Sequence, residues 1–294
     1  MIKWIVSDMD GTLLNDENQI SIRTKNKLIE CQESGIRLIL ASGRSYRKMI
    51  NFANELQMDK YGGALIEVNG LIINEFNDNP LTKKSMLEQN HIYEIFNFAK
   101  NYDVEIIGMN DDKIYDYFSD TIKTIKSKYR EDHQLEDNHP WLGGFKKWVA
   151  ANKSDHFDTI IINKVEDITE PLNKICFKQD PEVIEAFYND FAQQYGEQYE
   201  IVHASPRWLE CMRKGITKGS ALQELMNLYQ IKPEEVIAFG DGENDCSVFN
   251  VVKKGIAMSN AMQPLKDIAD EICPSNQEDG IAITLEKYEQ ILCK

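Results

Sequence analysis

The sequence predicts an α/β fold: a parallel sheet flanked by helices and interrupted by an inserted α+β domain. Three observations carry this expectation. Strands and helices alternate over residues 1–75, the alternation resumes after about residue 213, and the stretch between is richer in polar and aromatic residues, as in "DNHPWLGGFKKWVAANKSDHFD". The expected division is therefore 1–82 and 213–294 for the core and 83–212 for the insertion.

Residues 2–7 (IKWIVS) form an apolar run suited to a strand buried on both faces. Residues 21–35 read as a helix, with Ser21 as N-cap and Gly35 as the stop. A second strand spans 36–41, and Ser45 can cap a helix over 46–56. A third strand, 64–68, pairs with 71–73 across Asn69-Gly70, a strong hairpin signal with no chemistry assigned to it. Beyond the insertion come a helix at 217–229, a strand at 236–239 and a short helix at 245–252. A strand at 255–258 and helices at 264–269 and 281–292 complete the core. Within the insertion, 175–178 and 200–203 suit strands and 181–195 a helix, and Trp141, Phe145 and Trp148 suit a core.

Composition bounds the function. With 294 residues, 42% of them hydrophobic, and no apolar run longer than a strand, the chain predicts a soluble protein without membrane spans. It enters a strand directly, without a basic leader, which predicts a cytoplasmic protein. A net charge of −15 with no dense Lys/Arg stripe argues against nucleic acid and anionic membranes as partners. The six cysteines show no CxxC spacing and are expected to be reduced and buried; the five histidines form no zinc-ligand pair.

Four stretches carry chemistry: Asp8-Met9-Asp10-Gly11-Thr12, Ser42-Gly43-Arg44, Lys218, and Gly240-Asp241-Gly242-Glu243-Asn244-Asp245. Asp8 and Asp10 lie two residues apart at a strand end, so their carboxylates share one side and repel unless a cation sits between them. Ligands of open parallel sheets bind beyond the carboxyl ends of the strands, where three of these stretches converge. Acids for a divalent cation, a hydroxyl and backbone amides for an anion, and one lysine form an inventory for phosphoryl transfer. A lysine at the start of a helix opposes the helix dipole unless it faces an anion, which singles out Lys218.

These motifs, together with "ALIEVNGLII", "GITKGSAL", "GIAMSNAM" and "SNQEDGIA", resemble a haloacid dehalogenase (HAD) superfamily phosphatase of the Cof type, subclass IIB. The resemblance implies a Rossmann-like HAD core with an inserted α+β cap. It implies Asp8 as the nucleophile that forms an aspartyl-phosphate, and Asp10 as general acid and then base. Mg²⁺ would be held by the carboxylates of Asp8 and Asp241 and the backbone carbonyl of Asp10, with Asp245 orienting the groups around the metal. Lys218 would face both Asp8 and the transferring group, and Ser42, Gly43 and Asn244 would bind the phosphate. Arg44 stands open between a phosphate contact and a structural ion pair. Ser42 replaces the threonine of many relatives and keeps the hydroxyl. Asn260 matches a loop that closes the site. The implied substrate is a small phosphorylated metabolite, such as a sugar phosphate, with the cap recognising its non-phosphate part. A phosphomutase or phosphotransferase with the same intermediate, and a non-catalytic sensor of a phosphorylated metabolite, are the alternatives; Asp10 and Asp241 disfavour a dehalogenase.

Overall fold

The computed structural model describes residues 1–76, 82–135 and 158–288. The chain divides into two compact units, Met1–Lys84 with Ile216–Lys294, and Ser85–Gly215. In chain order, the first unit opens with β1 (Trp4–Ser7), α1 (Ile22–Glu33), β2 (Arg37–Ala41), α2 (Tyr46–Glu55), α3 (Met58–Tyr61), β3 (Ala64–Glu67), β4 (Ile72–Glu75) and β5 (Thr82–Lys83). The second comprises α4 (Gln89–Ala99), β6 (Glu105–Met109), β7 (Lys113–Tyr117), α5 (Asp120–Asp132), β8 (Asp158–Ile162), β9 (Lys174–Lys178), α6 (Pro181–Tyr195), β10 (Tyr199–Ser205) and β11 (Trp208–Arg213). The first unit resumes with α7 (Lys218–Leu228), β12 (Val236–Gly240), α8 (Cys246–Phe249), β13 (Lys254–Met258), α9 (Gln263–Ile268), β14 (Glu271–Cys273) and α10 (Gly280–Lys287).

The sheet of the first unit runs β14-β13-β12-β1-β2-β3-β4-β5. It is parallel from β14 through β3, with β4 and β5 antiparallel at the edge. Ile5, Leu38, Leu40, Ile237 and Phe239 pack in one cluster with Leu28 of α1 and Leu285 of α10. Trp4, Val6, Ile39, Ala41 and Ala238 join a second cluster with Ala221, Leu222 and Leu225 of α7. Successive residues of a strand alternate faces, and both faces are covered, so the strand sequences are apolar throughout. Ser7 aligns with Phe239 on one side and Leu40 on the other. Asp8, Asp241 and Ser42 therefore leave adjacent strands at nearly the same level. β1 lies between β2 and β12, where the strand order reverses, and such a point opens a ligand crevice.

Local details depart from expectation at two places. Ser45 precedes α2 but makes no side-chain cap bond; the backbone N–H of Tyr46 instead donates to Glu67 Oε2 at 2.8 Å. A buried carboxylate at the end of β3 is the stronger acceptor for a helix N-terminus. The β3–β4 hairpin exists, pairing Ile66 with Ile73 and Glu67 with Ile72, but its connection is four residues long and contains a 3₁₀ turn over Val68–Gly70. β14 had no sequence signal, being three residues long with Ile272 exposed.

The sheet of the second unit runs β10-β11-β9-β6-β7-β8, antiparallel except for β7–β8. α4 and α6 contribute to an aromatic core containing Phe96, Phe177, Phe187, Phe191 and Tyr199. Elsewhere in this unit Lys126 Nζ donates to Glu105 Oε1 at 2.8 Å, both side chains fully buried, and Lys174 Nζ donates to Glu210 Oε1 at 2.5 Å. β6 and β7 escaped the sequence reading: each is five residues long, β6 opens on the wholly buried Glu105, and the wholly buried Asp116 interrupts β7. Trp141, Phe145 and Trp148 lie outside the described residues, as does the end of the expected 281–292 helix. Among the described residues no helix is long and apolar enough to cross a membrane. Cys31, Cys176, Cys211 and Cys273 are buried free thiols, and Cys246 is a half-buried one.

Phe187 is fully buried and stacks edgewise or tilted on Phe98, Tyr102 and Phe177. Phe187→Ala should cost the second unit about 3–5 kcal/mol through lost transfer energy and the cavity left behind. Hydrogen exchange should then show faster opening of β6, β9 and β11, with protection of β1 and β12 unchanged.

Candidate active site

Asp8 follows β1, is 6% exposed, and anchors its own backbone by donating N–H to Phe239 O at 3.0 Å. Lys218, the first residue of α7, is 1% exposed; its Nζ donates to Asp8 Oδ1 at 2.6 Å and to Asp245 Oδ1 at 2.7 Å. The helix begins there because Thr217 caps it, accepting from Ser220 N at 3.0 Å. The two carboxylates offset the unfavourable placement of a cation at a helix N-terminus. Asp245 Oδ2 accepts the backbone N–H groups of Asp241 and Gly242, both at 3.0 Å. Asp245 thus fixes the loop that carries Asp241.

Asp241 is oriented by Thr12, whose Oγ1 donates to Asp241 Oδ1 at 2.9 Å. Gly11 is required beside it. Its φ is +79°, and a Cβ there would lie 2.2 Å from Asp241 Oδ2. One oxygen from each of Asp8, Asp241 and Asp245 lies within 4.8 Å of the others. Three carboxylates thus cluster, two of them on the Lys218 ammonium. Desolvation pushes Asp8 up to about 7, with Lys218 opposing it and Asp245 and Asp10 adding to it. Burial, then the charges of Asp8 and Asp245, hold Asp241 well above the usual carboxylate range. An all-oxygen donor set with excess negative charge fits a hard divalent cation.

The Asp10 side chain turns to Arg44. Nε donates to Oδ2 at 2.8 Å and Nη2 to Oδ1 at 2.6 Å, and Nη2 also reaches Asn18 Oδ1 at 2.6 Å. The structure therefore gives Arg44 an ion pair with Asp10. Ser42 is 1% exposed, and its Oγ accepts Arg44 N–H at 3.2 Å, shaping the Ser42-Gly43-Arg44 loop. Asn244 Nδ2 donates to Asn69 Oδ1 at 3.1 Å. Asn260 Nδ2 donates to the Gly11 carbonyl at 2.8 Å, so it braces the turn after Asp10. Glu210 is engaged within its own sheet by Lys174 and by Trp208 Nε1 at 3.1 Å.

Sequence reasoning placed Thr12 in the first chemistry-bearing stretch without giving it a role, and missed Glu67 and Asn69 as supports. Glu67 left a usable signal, an acid ending the otherwise apolar "ALIE". Asn69 left none, since Asn-Gly suffices as a turn.

Residues 5–285 match the family model described as haloacid dehalogenase-like hydrolase. A Bacillus subtilis protein, 5-amino-6-(5-phospho-D-ribitylamino)uracil phosphatase YcsE, is 28% identical over 282 residues, covering 96% of this chain and 93% of its own. The crystal structure of a haloacid dehalogenase-like hydrolase from Bacteroides thetaiotaomicron superposes with a TM-score of 0.72 at 29% identity, covering 98% of this chain and 99% of its own. A sugar phosphatase of HAD subclass IIB gives a TM-score of 0.73 at 22% identity, covering 98% and 99%. The chain belongs to the haloacid dehalogenase-like hydrolases, in the Cof-type branch, and is a phosphatase of that family.

The acid cluster makes cation binding visible in stability. With Asp8 raised to about 7, the cation-free folded chain keeps a proton that the unfolded chain has already released above the ordinary carboxylate value. Stability therefore falls as pH rises through that window and levels off above 7. A cation that displaces the proton should raise the melting temperature little at pH 5 and substantially at pH 8. Differential scanning calorimetry with and without Mg²⁺ checks this; an equal rise at both values would count against the cluster as the binding site.

Proposed function

We propose that the chain is a Mg²⁺-dependent phosphomonoesterase acting on small metabolites through an aspartyl-phosphate on Asp8. The observation that carries the reading is Lys218 bridging Asp8 and Asp245 beside Asp241. Asp8, Asp241 and the backbone carbonyl of Asp10 would hold the cation, which when bound offsets the repulsion between an anionic nucleophile and an anionic substrate. Asp245 is already committed to Lys218 and two loop amides, which suits it to orienting Asp241.

Lys218 holds Asp8 Oδ1, which leaves Oδ2 to attack phosphorus as the bond to the leaving oxygen breaks. Asp10 delivers a proton to that oxygen. The same carboxylate then takes a proton from water, whose oxygen attacks the phosphorus of the aspartyl-phosphate, releasing inorganic phosphate and freeing Asp8. Arg44 fixes the plane of the Asp10 carboxylate, while each oxygen keeps a further lone pair for this transfer. The Ser42 hydroxyl, the Gly43 amide and Asn244 would bind the non-reacting phosphate oxygens. A phosphorylated sugar or polyol is the substrate class favoured, in keeping with the names of the sugar phosphatase and the ribitylaminouracil phosphatase.

Asp8→Asn should remove turnover while the chain stays folded, since no other residue of the cluster is placed to form the acyl phosphate. Turnover by the purified variant close to that of the parent would refute the nucleophile assignment. Asp10→Asn should retain Mg²⁺ binding and lose about 10²–10⁴ in rate, or roughly 3–5 kcal/mol of barrier. A sugar alkoxide needs a proton as it departs and p-nitrophenolate hardly does. Rapid mixing of this variant with p-nitrophenyl phosphate should therefore show a burst followed by slow turnover. Equal losses for both leaving groups without a burst would make Asp10 structural.

A further inference from the structure

We infer that Asn69, in the β3–β4 connection, is the positioning residue that aligns Asn244 and the Ser42 loop for phosphate binding. The inference rests on the phosphatase reading for what the site binds. The residues of the turn are buried, and their φ values are +47° at Val68, +54° at Asn69 and +98° at Gly70. A β-branched residue at positive φ is a genuine outlier and persists only where its surroundings over-determine it. Here they do. Val68 N–H donates to Arg44 O at 3.0 Å, and Asn69 N–H donates to Ser42 O at 2.9 Å. Asn69 Oδ1 accepts from Asn244 Nδ2 at 3.1 Å. Gly70 backs onto the cap of α7, where a Cβ would lie 2.1 Å from Thr217 O.

One turn therefore touches the loop of Ser42 and Arg44, the loop of Asn244, and the start of the helix that presents Lys218. A hairpin requires none of this. Asparagine suits the φ of residue 69, but the turn does not require its side chain to reach Asn244. Holding one Nδ2 hydrogen of Asn244 fixes the amide plane and leaves the second hydrogen for an anionic oxygen.

The test compares Asn69→Gly with Asn69→Ala in the full chain with Mg²⁺, reading the inhibition constant of inorganic phosphate against p-nitrophenyl phosphate. Both variants remove the acceptor, but only alanine strains the backbone. Positioning predicts that both weaken phosphate by about tenfold, while the melting temperature falls further for Asn69→Ala than for Asn69→Gly. Asn69→Gly added to Asn244→Ala should cost less than about twofold more, because Asn69 then has no amide left to align. Phosphate affinity that follows the melting temperature, with Asn69→Gly like the parent, overturns the inference, as does a multiplicative double variant. If Asn69→Ala does not fold, Asn69→Gly and the double variant decide. A parent that neither hydrolyses nor binds phosphate would defeat the phosphatase reading instead. The side-chain amide resonance of Asn244, assigned by its loss in Asn244→Ala, then decides the positioning: a shift in Asn69→Gly supports it and an unmoved resonance overturns it.

Discussion

Excess negative charge at the carboxyl end of β1 is the constraint around which the first unit is built. Asp8, Asp241 and Asp245 cluster with Lys218 bonded to two of them, and burial of the cluster removes most of the water that would screen it. The neighbouring sequence follows from that crowding. Gly11 has no Cβ because Asp241 occupies the space, and Thr12 supplies a hydroxyl to the same carboxylate. Asp245 is held by two backbone amides as well as by the lysine. The raised Asp8 and Asp241 carboxyls register the excess negative charge.

The second unit buries acids too, and one of them is directly paired. Glu105 and Asp116 face Lys126 and Lys178, with Lys126 directly paired to Glu105. Burial first, then the Glu105 charge, drives Asp116 far up, and burial brings Lys178 down to about 8. Lys174 and Glu210 form a further one-to-one pair. In the first unit the ammonium of Lys218 bonds two of the three acids, and protons or a bound cation offset the charge that remains.

Position in the sheet supplies the rest. β1 is flanked by strands that arrive from opposite ends of the sequence, and the register aligns Ser7 with both Leu40 and Phe239. Loops separated by more than two hundred residues thereby meet, and Thr12 and Lys218 then bond across them. The Val68–Gly70 turn then ties the second, third and fourth motif stretches together through backbone and amide contacts.

The sequence by itself determined the parallel core, because strands buried on both faces must be apolar throughout and their alternation with capped helices is a local pattern. It also determined which chemical groups are available: Asp8, Asp10, Ser42, Lys218, Asp241, Asn244 and Asp245 are all legible as strand-end or helix-start polar residues. Tertiary structure alone decided their partners. Arg44 was open between two roles until the fold set its guanidinium on Asp10, and Ser45 lost the cap of α2 to Glu67 from another strand. The strands carrying Glu105 and Asp116 stayed hidden because each is short and holds a buried acid, at the start of β6 and within β7. Asn69 read as a turn residue because its local role is satisfied by the turn; its second role needs Asn244, 175 residues away, which only the folded sheet brings within reach.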